Sequence, residues 1–200
     1  RDRSVSRGLG DVYKRQEKYY LRIADVYIDI KEQRGQYWLE NIMKDKFAVS
    51  MFGQKRLSRE GGIEIVVKEL CTRMARDGCQ VTCYNRSGHH VSGAEYDNKI
   101  EYDGIRQKFV PTIEGKGLAA VSSSFFAALY SAFGKYDVVH IHAEGPAFFS
   151  WLPKMFGKRV VVTIHGIDWQ REKWKSGFGS KFIRQGERNA VKYADEIMRL

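Results

Sequence analysis

Residues Tyr136 to Trp174 read YDVVHIHAEGPAFFSWLPKMFGKRVVVTIHGIDWQREKW, and this stretch decides the fold. Two β-branched runs stand out in it, Val138-Val139-His140-Ile141-His142 and Val160-Val161-Val162-Thr163-Ile164. Each is apolar nearly throughout, as suits a strand buried on both faces of a parallel sheet. Between them Pro146 to Phe156 has helical length, with Pro early and Gly157 just past the end. The stretch therefore predicts a strand–helix–strand unit. In such units ligands meet the chain beyond the carboxyl ends of the strands. Those ends carry His142-Ala143-Glu144-Gly145-Pro146 and His165-Gly166-Ile167-Asp168-Trp169, two loops rich in titratable groups and Gly.

Working outward, Phe47 to Phe52 reads as a first strand, followed by Gly53 and a polar, basic loop from Gln54 to Glu60. Gly61 and Gly62 then open a helix whose apolar residues Ile63, Val66, Val67, Leu70 and Met74 keep helical spacing. Gly at a helix mouth lets backbone N–H groups approach an anion, which the helix dipole favours. A Gly-Gly turn is also ordinary punctuation between elements. The pattern is neither GxGxxG nor a P-loop. Gln80 to Tyr84 gives a second strand, and Ile105 to Val110 a third, introduced by Asp103-Gly104. Gly117 to Gly134, uncharged but broken by four serines, reads as a buried crossover helix rather than a membrane span. Lys181 to Tyr193 predicts a further helix, and Asp195 to Leu200 begins another strand. The alternation is that of a doubly wound α/β sheet.

The front of the chain differs. Residues 1–16 resemble translated linker sequence, and 17–42 carry only a loose helical pattern. We expect a weakly packed or non-native extension over 1–42 and the domain proper over 43–200, starting near Met43. The chain has 200 residues and a formal charge of +10; removing 1–42 leaves 25 basic against 17 acidic side chains, or +8. The basic character thus belongs to the domain and suits acidic partners such as phosphorylated substrates or an anionic membrane face. Scattered basic residues with no recognition motif argue against nucleic acid. Cys71, Cys79 and Cys83 form no CxxC pair, which favours a reducing, cytoplasmic setting. His89-His90 has no Cys or carboxylate at ligand spacing, so no metal is expected. Lys154, Lys158, Arg159, Lys173, Lys175, Lys181 and Arg184 interleave with Trp151, Phe156, Trp174, Phe178 and Phe182. That mixture suits peripheral contact with the inner face of a cell membrane, unless those aromatics are core.

Taken together, MFGQKRLSREGGIE, YNRSGHH, YDVVHIHAEGPAFF and GKRVVVTIHGIDWQREKW resemble bacterial glycosyltransferases of family 4, over about Met43 to Leu200. The likeness is nearest to rhamnosyltransferase-type enzymes of capsular and exopolysaccharide synthesis. It implies two Rossmann-like domains facing each other across a cleft, of which this would be the N-terminal, acceptor-side one, truncated before the donor-binding domain and inactive alone. It implies a retaining hexosyltransferase that moves a sugar from a nucleotide-sugar donor to a lipid-linked or polysaccharide acceptor, with no cofactor and no metal. By the same resemblance Gly61 and Gly62 approach the donor diphosphate, with Arg59 beside them. His165 lies at the reaction centre next to the donor sugar. Glu144 and Asp168 occupy rim positions suited to sugar hydroxyls, and His142 and Trp169 belong to the acceptor side. Arg59 could equally be a solvated loop residue, Glu144 a helix cap and His140 a buried strand residue. The competing reading is a non-catalytic nucleotide- or sugar-binding module of the same fold.

Overall fold

The structure is a computed structural model and describes residues 22, 25–29, 47–57, 61–88, 99–115, 117–166 and 178–199. The chain divides into two compact units, residues 1–45 and 46–199. In the first, residues 25–29 are helical and Tyr27 is buried.

The seven strands of the second unit form one sheet. In chain order they are β1 (Ala48–Phe52), β2 (Gln80–Arg86), β3 (Glu101–Tyr102), β4 (Ile105–Val110), β5 (Val138–His142), β6 (Arg159–Ile164) and β7 (Glu196–Arg199). The spatial order is β3-β4-β2-β1-β5-β6-β7. Every pairing is parallel except that of β3 with β4. Order reverses between β1 and β5, which makes that the switch point of a doubly wound, Rossmann-like sheet.

Alternation along the strands decides which helix covers which face. Phe52, Tyr84, Val139, Ile141, Val160 and Val162 share one core with Ala127 and Ala128 of α2 (Leu118–Phe133) and with Phe149, Leu152 and Ala190. The opposite face of β2 meets α1 (Gly62–Arg76), where the Cys71 and Cys83 sulfurs lie 3.3 Å apart. Strands β5 and β6 are buried on both faces at Val138 to Ile141 and Val160 to Val162. Each Val or Ile among them contributes roughly 1.5–3 kcal/mol through burial. In α2, Ser122 and Ser123 donate to the Leu118 and Ala119 carbonyls, so the hydroxyls sit inside a helix without orphaned groups. Among the described residues no helix is long and apolar enough to cross a membrane.

Three sequence expectations need correction. The single helix expected over 146–156 is two short ones, α3 (Glu144–Ala147) and α4 (Trp151–Met155). Pro153 has no N–H to return to the Phe149 carbonyl, which instead accepts from Leu152 at 3.0 Å. The short strand β3 was not expected at all. It pairs with β4 across Asp103-Gly104, both at positive φ (48° and 78°), a two-residue hairpin turn. The last helix, α5 (Phe178–Tyr193), starts three residues earlier than the pattern suggested.

Candidate active site at the switch point

The loop leaving β1 is pressed against the end of β5. Gly53 has φ +116°, and a Cβ built there would lie 2.0 Å from the His142 carbonyl oxygen. Only glycine permits that approach. Beyond it the loop is stapled to the end of β2. Asn85, fully buried, accepts from Leu57 N at 3.1 Å and from Gln54 Nε2 at 3.3 Å, and donates to Gln107 Oε1 at 2.9 Å. Arg56, also buried, donates to the carbonyls of Arg86 (3.1 Å) and Gly88 (2.9 Å). Gln54, Arg56 and Leu57 are thus held by buried hydrogen bonds rather than left solvated.

At the mouth of α1 the glycines meet an internal anion. Glu64 is buried, its Oε1 accepts from Lys55 N at 3.1 Å, and its Oε2 lies 2.3 Å from where a Gly61 Cβ would be. The N-terminal end of α1, where the dipole favours negative charge, therefore already holds a carboxylate. A Cβ on Gly62 would meet nothing within 4 Å.

Across the switch point, β5 and β6 bring three histidines together. His140 and His142 project from the same face of β5, their rings stacked with centroids 4.3 Å apart. His165, directly after β6, lies 5.2 Å from His142 by ring centroids. The nitrogens are engaged: His140 Nε2 with Thr163 Oγ1 at 2.7 Å, His142 Nδ1 with His165 Nε2 at 2.9 Å, His142 Nε2 with Met51 Sδ at 3.3 Å. Burial disfavours the imidazolium in all three. It lowers His165 to about 4 and, with the His165 charge adding to it, His140 to about 3. Burial also holds His142 well below its ordinary value, with smaller contributions from His140 and His165. The cluster is neutral at pH 7. Ala143, next to His142, has φ +77°, a strained conformation for a residue with a Cβ and one that concentrates at functional sites.

The residues singled out in the sequence fall at different depths relative to the carboxyl rim. His165 is half-buried at the carboxyl rim. His142 is 0% exposed, its Nδ1 in contact with His165 Nε2. Glu144 is also withdrawn, 1% exposed at the start of α3, with its backbone carbonyl against Gly186. His140 is a buried strand residue. Arg59, Asp168 and Trp169 lie outside the described residues, as does His89-His90. Among the described residues no group of His, Cys, Asp or Glu is arranged to hold a metal ion.

Sequence reasoning missed Met51, Glu64, Asn85 and Thr163. Of these only Glu64 carried a local signal, a Glu three residues after the helix-capping position. The basic and aromatic residues set aside for a membrane surface divide between roles. Lys154 and Arg159 face Asp195, Lys158 donates to the Gly134 and Tyr136 carbonyls, and Phe182 stacks on Phe148. Phe178 and Phe156 remain exposed, while Lys173, Trp174 and Lys175 lie outside the described residues.

Residues 60–198 match the profile of Glycosyltransferase Family 4, well over half of the chain. No curated protein is detectably similar in sequence. Among solved structures, the fold is similar to that of a sucrose-phosphate synthase from Thermosynechococcus elongatus, with a TM-score of 0.59 and 14% sequence identity. The similarity covers 76% of this chain and 42% of that one, so the chain spans less than half that structure's length. At this identity the likeness speaks for the fold.

Proposed function

The chain belongs to glycosyltransferase family 4, and from that premise we propose that it supplies the acceptor-side half of an enzyme transferring a sugar from a nucleotide-sugar donor. What carries the reading is the arrangement at the switch point. The β1 loop, the mouth of α1 and His165 share one carboxyl rim, where ligands of such sheets bind. A nucleoside diphosphate leaving group gains negative charge as the glycosidic bond breaks, and oriented N–H groups with nearby cations stabilise it without metal. The free space at Gly62, the helix dipole behind it and the basic loop with Arg59 suit that task. His165, neutral and half-buried, is suited to hydrogen-bonding a sugar hydroxyl. Asp168 and Trp169 follow it in sequence and would act on the same rim, with Glu144 beneath.

In finer terms the proposal is a retaining hexosyltransferase. Rhamnose is its candidate sugar and a lipid-linked or polysaccharide chain its acceptor, as in capsular or exopolysaccharide synthesis. The donor half would come from a second Rossmann-like domain, and the exposed Phe156 and Phe178 would give peripheral contact with an anionic membrane. The test is a panel of nucleotide sugars offered with lipid-linked acceptors to a protein containing this chain and its donor domain. Release of nucleoside diphosphate with one donor, retained in chelator, supports the proposal. Binding without release favours a non-catalytic sugar- or nucleotide-binding module.

A further inference from the structure

His142 has two ring nitrogens and two hydrogen-bond partners, Met51 Sδ at 3.3 Å and His165 Nε2 at 2.9 Å. The partners are not equivalent. A thioether sulfur has no hydrogen to give and can only accept, weakly. A neutral imidazole carries one N–H and one lone pair, and which nitrogen holds the proton follows from what each faces. With the proton on Nδ1, the buried Nε2 lone pair would face the sulfur lone pairs, an acceptor against an acceptor with no water to intervene. With the proton on Nε2, both contacts are satisfied: Nε2–H donates to Met51 Sδ, and Nδ1 accepts from His165 Nε2–H.

The direction set at Met51 therefore propagates outward. We propose that Met51 and His142 are positioning residues that fix His165 as its Nε2–H tautomer, leaving Nδ1 as the lone-pair nitrogen available at the rim. His165 then offers a ligand an acceptor and no donor, so it selects for a group that brings its own hydrogen, such as a hydroxyl. Burial keeps the whole ladder uncharged at neutral pH, which preserves the tautomer logic. Met51 lies opposite His140 in the β1–β5 register and two residues before Gly53, so the strand that orients the His142 ring leads directly into the glycine that packs on its carbonyl. The tautomer itself needs no substrate. Only its use, receiving a sugar hydroxyl, rests on the glycosyl-transfer reading.

The test is long-range 1H–15N correlation NMR on the 200-residue chain labelled at histidine, at pH 7 and without ligand. The expected spectrum shows protons bonded to Nε2 of both His142 and His165, the His165 proton shifted downfield and slow to exchange. A proton on Nδ1 of either residue would overturn the proposal. Two variants separate positioning from packing. His142→Leu removes the acceptor, and Met51→Leu keeps volume but removes the sulfur. Both should return His165 to a tautomer average and speed exchange of its N–H. Wild-type His165 signals in both would also overturn it. Should His142→Leu fail to fold, the wild-type and Met51→Leu spectra decide. Sugar-transfer assays are not involved, so the ladder and the glycosyltransferase reading fail separately.

Discussion

Replacing Gly53 with Ala tests whether the β1 loop and the end of β5 are built as one unit. Two costs add at this position. The φ of +116° is unfavourable for any residue with a Cβ, by about 1–2 kcal/mol. The new Cβ would also lie 2.0 Å from the His142 carbonyl oxygen and 2.9 Å from its nitrogen, backbone atoms that cannot swing aside. Relief needs the two segments to part, which strains the β1–β5 pairing at Phe52 and Ile141 and displaces His142. We expect a total of at least ~4 kcal/mol, in the range reserved for severe backbone or packing defects. Gly78→Ala is the internal control: its φ is +84°, but a Cβ there meets nothing within 4 Å. It should lose only about 1–2 kcal/mol. For a chain of this length each kcal/mol is worth roughly 2–4 °C in melting temperature. Calorimetry or urea unfolding of both variants measures the difference. Equal losses would refute the close approach at His142, whatever their size.

Acid should destabilise the protein early. Burial lowers the folded-state values of His140, His142 and His165, so as pH falls the unfolded chain takes up protons first. The stability is present above about pH 6.5 and declines toward the folded values of about 4 and about 3, by up to roughly 1.4 kcal/mol per pH unit per histidine. Urea midpoints at pH 7.5 and 5.5 check this, and equal midpoints would contradict it. Glu64→Gln should preserve the acceptor for Lys55 N while removing the charge at the helix mouth. If the diphosphate binds there, nucleoside diphosphate affinity by calorimetric titration should rise about two- to fivefold, the size of one charge at a helix terminus. Weaker binding would mean the carboxylate does not compete with the ligand.

The sheet was legible because its strands announce themselves individually. Val138 to His142 and Val160 to Ile164 are largely apolar where both faces are buried, and Gly and Pro mark their ends. Pro146 to Phe156 misled because apolar content and length suggested one helix, whereas the N–H groups of Phe148, Phe149 and Ser150 turn to carbonyls three residues back and interrupt it. The rim was legible to the same depth. His165 could be placed because a residue directly after a buried strand emerges at the carboxyl edge. The resemblance placed His142 on the acceptor side; its burial and its contact with Met51 Sδ were not legible, because they arise only once β1 and β5 are paired. The Asn85 network was illegible for a different reason. It joins residues 54, 57, 85 and 107, whose proximity exists only once β1, β2 and β4 are side by side.

The most direct test of the glycosyltransferase account is the turnover of His165→Ala in a protein that contains both this chain and its donor domain. The substitution removes one half-buried ring at the rim and leaves His142 Nδ1 without its partner, so the fold should survive with a loss of about 1 kcal/mol. Release of nucleoside diphosphate from the cognate donor, measured at saturating acceptor, should fall by ~10²-fold, as for loss of one positioned catalytic or stabilising group. A well-folded His165→Ala protein turning over at the wild-type rate would contradict the site and, with it, the role assigned to this rim.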